Sequence, residues 1–176
     1  MTSMINGFLN ISRLESGKLQ IDKQPFIMGD LMREAIDEMN LTGTDHIIAL
    51  RKCDKAVLQA DRDKINSVLV NLLSNAVKYS PKGSTILVDC HADGSSFHVS
   101  VHDEGLGIRQ KACAHIFDRY YRVGNNRTRH ISGFGIGLYL SAEIIRRHNG
   151  FIWVESEIDK GSTFYFSLPL KTPAKR

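Results

Sequence analysis

Residues 132–140 read SGFGIGLYL. Glycine stands at every second position, 133, 135 and 137, and an apolar helical pattern follows at once. A glycine turn that opens a helix leaves backbone N–H groups unpaired and points the positive end of the helix outward, which favours an anion. The spacing excludes two common phosphate-binding folds. A dinucleotide turn needs G-x-G-x-x-G and a P-loop needs G-x-x-x-x-G-K-[ST]. Here no lysine is embedded, so cations must come from elsewhere, and Lys78 and the basic stretch 119–129 are the candidates. The same glycines would also serve a flexible hinge.

Outward from this turn, residues 136–148 are apolar on nearly every side, which predicts a buried helix closed by Asn149-Gly150. Strands FIWVES (151–156) and TFYFSLPL (163–170) follow, joined by Asp159-Lys160-Gly161. Upstream, residues 61–79 give the clearest helix. Asp61 caps it, and Ile65, Val68, Leu69, Leu72, Leu73, Ala76 and Val77 repeat at helical spacing. Two alternating strands, TILVDCHA and SFHVSVHD, are joined by Asp93-Gly94, a hairpin signal. A helix over 30–40 with Asp30 as cap, strands HIIAL (46–50) and AVLQA (56–60), a short helix over 110–117 and a helix over 3–16 complete the pattern. Residues 18–28 read as extended or loop around Pro25, and 124–133 as polar and irregular. Helices mixed with hairpin strands predict an α/β sandwich, with helices on one face of a mixed sheet.

Three groups of residues carry chemistry. On the 61–79 helix, Asn71, Asn75 and Lys78 fall within about 60° of one another. Two amides and a cation at a core boundary suit a hydrated Mg²⁺ and a polyphosphate, and equally an ordinary solvated face. In FHVSVHDEG, Phe97, Val99, Val101 and Asp103 lie in phase, so Asp103 is an inward carboxylate at a strand end. It suits an exocyclic amino group such as adenine N6, or a turn whose amides it accepts from. Gly105 and Gly107 then let the backbone approach something flat. The third group is the glycine turn itself.

Their order is specific. N-L-L-S-N-A-V-K-Y-S (71–80), D-E-G-L-G-I (103–108), I-F-D-R-Y-Y-R-V (116–123), G-F-G-I-G-L (133–138) and G-S-T-F (161–164) follow one another. The series resembles the catalytic and ATP-binding domain of bacterial sensor histidine kinases over roughly residues 20–170. The resemblance implies the Bergerat α/β sandwich, with ATP and Mg²⁺ as cofactors. It implies that Asp103 reads adenine with Thr163, Gly105 and Gly107, and that Ile108 and Leu138 line the nucleotide site. Asn75 is the implied Mg²⁺ ligand. Asn71, Lys78 and Tyr79 line the site, Lys78 toward phosphate, and Arg122 contacts phosphate. Phe117 anchors a lid over 122–134, and Gly133, Gly135 and Gly137 hold the phosphates beneath it. Phe134 departs from the small or hydroxyl residue usual there. Related hydrolases carry a water-activating Glu where this chain has Asn71, and an amide is no general base. The resemblance therefore implies phosphoryl transfer to a histidine rather than hydrolysis. An ATP hydrolase and a non-catalytic docking module are the competing readings.

None of the seven histidines has the setting of a phosphoacceptor. Residues 1–19 resemble the end of a dimerisation helix, so the acceptor domain is expected upstream, and a response regulator downstream. Residues 171–176 are expected to be a disordered tail. The net charge of +4 comes from dispersed basic residues, which reads as a solvated surface with no nucleic-acid partner. No apolar run approaches the ~18 residues of a bilayer span, so no membrane contact is expected of this stretch. Cys53, Cys90 and Cys113 are few and scattered, as suits a reducing cytoplasm, and form no metal-ligand spacing.

Overall fold

The computed structural model describes residues 19–124 and 134–170. The expected 3–16 helix, the tail at 171–176 and most of the lid, Gly133 included, lie outside the described residues.

Helix α2 (Arg62–Tyr79) forms as its periodicity requires. Asp61 caps it by accepting the Lys64 N–H at 3.1 Å, and Ile65, Val68, Leu69, Leu72, Leu73 and Ala76 are buried along one side. Each of the Ile, Val and Leu side chains among them contributes ~1.5–3 kcal/mol by leaving water. Helix α1 (Met28–Leu41) starts two residues before the expected 30–40. Asp30 is not its cap: Ile27 holds that position with no side-chain bond. Asp30 lies in the first turn and accepts from Arg33 instead, while the Met28 N–H is taken by the Ala56 carbonyl. That carbonyl comes from a distant loop, so no local signal reveals it.

Strand β1 (Gln24–Ile27) pairs antiparallel with β3 (Val57–Ala60) in a small two-stranded sheet. Pro25 is tolerated because neither strand has a second neighbour. The main sheet has the order β2-β4-β5-β7-β6. It is built from β2 (Ile47–Cys53), β4 (Thr85–Asp93), β5 (Ser96–Asp103), β6 (Phe151–Glu157) and β7 (Gly161–Pro169). Only β2–β4 is parallel. The β4–β5 hairpin forms, but Asp93 pairs with Ser96, so its two-residue loop is Gly94-Ser95. The short helix α3 covers Gln110–Cys113.

Helices α1, α2 and α4 (Gly137–Arg147) cover one sheet face, so the sandwich is α/β with a mixed sheet. The inward residues of β5, Phe97, Val99, Val101 and Asp103, are buried as alternation requires. Helix α4 corrects one expectation. Only Ser141, Ile144 and Ile145 are buried within it, because its first turn borders Asn71 rather than closed core. Asn149, with φ +58°, makes the left-handed turn after it.

Two further features lie at the upstream end of the domain. His148 is 2 % exposed. Its Nδ1–H donates to the Ile144 carbonyl (2.7 Å), and its Nε2 accepts the Asp61 N–H (2.9 Å). Asp61 Oδ2 also accepts the Asp22 N–H, and Arg147 donates to the Leu19 carbonyl. The incoming segment is thereby tied to the start of α2 and the end of α4. The second feature is a correction: Cys53 and Cys90 are not scattered thiols but a disulfide, with Cα atoms 4.4 Å apart, and only Cys113 is free.

Candidate functional site

The site is assembled along one side of α2. At its far end, Asp103 closes β5 with 4 % exposure. Oδ1 accepts the Gly105 N–H at 2.8 Å, and the Ser162 N–H also donates to the carboxylate. Burial pushes the Asp103 carboxyl above its ordinary range, while those two bonds and the nearby His102 pull it back. A carboxylate has about four acceptor positions, so these donors leave capacity for a ligand amine. Gly105 is fixed by space: a Cβ there would stand 2.5 Å from Asp103 Oδ1 and 2.8 Å from the Tyr79 carbonyl. That contact joins the strand end to the last turn of α2. Ile108 follows, its N–H bonded to Ser156 Oγ at 2.8 Å, and Gly107 packs on the Glu157 carbonyl.

Thr163 is the clear correction. It pairs with His102 on β7, not with Asp103, and its Oγ1 lies 2.9 Å from His102 Nδ1. Strand alternation turns it to the sheet face away from Asp103. The residue beside Asp103 is Ser162, which is buried and shares a hydroxyl bond with Ser156. The sequence carried a signal for this: Asp103 and the strand Ser162–Leu168 share the buried phase, and only the register between them was missing.

At the C-terminal turn of α2, Lys78 is half-buried and its Nζ stands 5.3 Å from the Tyr79 ring centroid. Burial lowers the Lys78 ammonium from its ordinary range, and the Arg122 guanidinium lowers it further. Burial raises the Tyr79 hydroxyl, with Arg122 opposing. Arg122 therefore converges on the same end of α2, and two cations are held close enough to repel.

One turn earlier, Asn75 is half-buried on the same side. Asn71 Nδ2 donates to Ser141 Oγ at 3.0 Å, and its Oδ1 faces the start of α4 so closely that a Cβ on Gly137 would collide with it. Leu138 follows, half-buried against the hydrophobic core. Gly135 has φ +68°, and its carbonyl accepts the Tyr120 N–H at 2.9 Å. A Cβ there would stand 2.7 Å from the Tyr121 carbonyl. Gly135 thus closes the loop onto the Tyr120–Tyr121 turn, a packing role the sequence did not show. Phe117 packs edge-on against Phe164, centroids 6.5 Å apart. Phe134 is 54 % exposed. Among the described residues, no group of three or more His, Cys, Asp or Glu side chains could hold a metal ion, and no helix is long and apolar enough to cross a membrane.

Comparison with known proteins decides the family. A model described as "Histidine kinase-, DNA gyrase B-, and HSP90-like ATPase" matches residues 60–172, more than half of the chain. The chain belongs to that family. It is 37% identical over 175 residues to the sensor histidine kinase WalK of Bacillus subtilis (strain 168), covering 97% of this chain and 29% of WalK. It is 32% identical over 176 residues to the sensor protein SrrB of Staphylococcus aureus, covering 96% of this chain and 29% of SrrB. This histidine kinase-type domain thus spans less than a third of the curated relatives it matches. Among solved structures, full-length ShkA in complex with AMPPNP superposes with TM-score 0.83 at 26% identity, over 98% of this chain and 36% of ShkA. A nucleotide-free catalytic domain of the histidine kinase ThkA superposes with TM-score 0.72 at 26% identity, over 86% of this chain and 99% of that one. Over nearly its whole length the chain is thus similar to the catalytic, ATP-binding part of sensor histidine kinases.

Proposed function

We propose that this domain binds Mg-ATP along α2 and passes the γ-phosphoryl group to a histidine of a dimerisation domain belonging to the same longer protein. The observation that carries the reading is the continuity of the site. A buried carboxylate stands at one end, two repelling cations lie beside the last turn of α2, and two amides line the turns before them. In this reading Asp103 accepts the adenine amino group, while Gly105, Gly107 and Ile108 let the base lie flat against the backbone. Lys78 and Arg122 hold the phosphates, with the start of α4 at Gly137 contributing its N–H dipoles.

The donor set fits a hydrated Mg²⁺. Asn75 offers a neutral oxygen one turn from Asn71, where a cation that keeps most of its waters and shares phosphate oxygens is accommodated. Bound there, Mg²⁺ would neutralise phosphate charge. The chain's own residues supply position and charge stabilisation, which is most of what phosphoryl transfer demands. Asn71 is tied to Ser141 and has no proton-accepting group, so water is not activated there. The whole protein is expected to sit with this domain in the cytoplasm, and to hand its phosphoryl group to a response regulator.

The test is calorimetric titration of ATP with and without Mg²⁺, on this chain and on Asp103→Ala. Mg-dependent binding that Asp103→Ala abolishes is the expected result. A folded native chain that binds no nucleotide would overturn the reading.

A further inference from the structure

We propose that Cys53 and Cys90 form a reversible redox site that staples edge strand β2 to β4, with a low-molecular-weight disulfide of the glutathione class as oxidant. The two residues are register partners across the parallel β2–β4 pair and are bridged, with Cα atoms 4.4 Å apart. That separation is within the range a disulfide accepts, at its close end.

The two sulfurs differ in access. Cys90 is 0 % exposed, while Cys53 is half-buried at the end of the edge strand. Cys53 lies among charges that are largely paired: Arg33 with Asp30, Arg51 with Asp89 and Lys52 with Asp54. A Cβ on Gly29 would stand 3.6 Å from Cys53 Sγ and 3.7 Å from an Arg33 guanidinium nitrogen, and Arg51, Lys52 and Lys55 flank Cys53 in sequence. Access, rather than charge, makes Cys53 the sulfur that a small oxidant meets first. The chemistry follows from that asymmetry. The Cys53 thiolate attacks one sulfur of the oxidant, forming a mixed disulfide and releasing one small thiol. The Cys90 thiolate then attacks Cys53 Sγ and releases the second. Two protein thiols lose two electrons, and the oxidant is reduced to two thiols that take up the two protons.

The staple holds a part of the fold that is otherwise lightly held. β2 has one neighbour, and its register with β4 shifts between Leu50 and Lys52. Beyond the shift its end is fastened by the Asp54 N–H to the Cys90 carbonyl and by the Ala92 N–H to Asp54 Oδ2, both 3.0 Å. Cys53 also underlies the first turn of α1, and three residues on the Ala56 carbonyl holds the Met28 N–H at the β1–α1 corner. The bridge therefore fixes the corner where the chain arrives from residue 19. Cys90 is five residues along β4 from Thr85, the end of the strand that follows the helix carrying Lys78 and Tyr79, about 17 Å at strand rise. Oxidation stiffens the upstream corner and leaves the nucleotide side unchanged.

The experiment uses this chain, reduced and then equilibrated over a series of glutathione to glutathione-disulfide ratios. Thiols are alkylated and mapped by mass spectrometry, with melting and hydrogen exchange followed in parallel. The expected result is loss of two thiols together, a linked Cys53–Cys90 peptide, Cys113 alkylated throughout, and full reversal by dithiothreitol. The oxidised form should melt about 5–10 °C higher, and exchange over residues 47–60 should slow at least about tenfold, with ATP affinity constant within about twofold. Cys53→Ser should melt like the reduced chain and not respond to the ratio. Glutathione adducts without the linked peptide would overturn the proposal. So would a bridge that reductant cannot open in the folded chain, or one that leaves exchange over 47–60 unchanged. If Cys53→Ser does not fold, mapping on the native chain decides alone.

Discussion

Asp103 sits in conflict with its surroundings. Burial favours its neutral form, while the Gly105 and Ser162 N–H groups and His102 favour the ionised one, and burial prevails. A carboxyl held above its ordinary range takes its proton at higher pH than a free Asp. For the empty domain, the stability linked to this group is greatest at low pH and is lost as pH rises through the folded value. For adenine the sign is opposite, because only the ionised carboxylate accepts from an amine on every lone pair. Calorimetry across acidic pH should therefore show ATP affinity falling at a pH above the ordinary carboxylate range. Asp103→Asn should remove that dependence and weaken binding by about 10–100-fold, about 1.4–2.8 kcal/mol, with a melting temperature close to wild type. Thr163→Val is the companion measurement. Its side chain bonds His102 on the far sheet face, so affinity should stay within about twofold. A tenfold loss would return Thr163 to the site.

At the scale of elements, legibility followed locality. Helix α2 and hairpin β4–β5 were legible because cap, period and turn lie within one stretch of chain. The start of α1 was not, because the Ala56 carbonyl that receives the Met28 N–H comes from another loop. β1 is extended in sequence and becomes a strand only by pairing with β3. The expectation at Thr163 and the unread Cys53–Cys90 bridge have one physical reason. Both depend on register between strands distant in sequence, and residue spacing does not encode it. The same non-local logic governs the joint of α2 and α4. His148 is buried in a neutral tautomer, and burial lowers its affinity for a proton. The unfolded chain then binds more protons below about pH 6.5, so stability falls as pH drops from there toward the lower folded value. Thermal melts across that window should show the loss, and His148→Gln should flatten it. Asp61→Ala removes a helix cap and the Asp22 bond together, and should cost about 1–2 kcal/mol in urea unfolding.

At the scale of the whole molecule, the proposed reading gives this domain a nucleotide site and places the acceptor on another domain. The domain spans 29% of WalK and 29% of SrrB, and the sequence pattern leads us to expect no phosphoacceptor among its seven histidines. Its charges are arranged for holding rather than hydrolysing. Lys78 and Arg122 converge on the end of α2, and the amide of Asn71, bonded to Ser141, stands where a base would be needed. In the proposed function, phosphoryl transfer depends on a second domain that brings a nucleophile into line with the γ-phosphate, and proximity of that kind accounts for much of such a rate. The expected behaviour of this chain alone is tight Mg-ATP binding with almost no steady-state turnover. Adding the dimerisation domain of its own full-length protein, in trans, should give phosphohistidine on that domain and one ADP per group transferred. Lys78→Met and Arg122→Ala should each lower the transfer rate by at least about a hundredfold, and their effects should not add, because the two cations act on one anion. Radiolabelled ATP followed by gel and free-phosphate assays separates transfer from hydrolysis. Steady phosphate release by the isolated chain would show that water reaches the γ-phosphate without a base, and would move the domain to the hydrolase branch of its family.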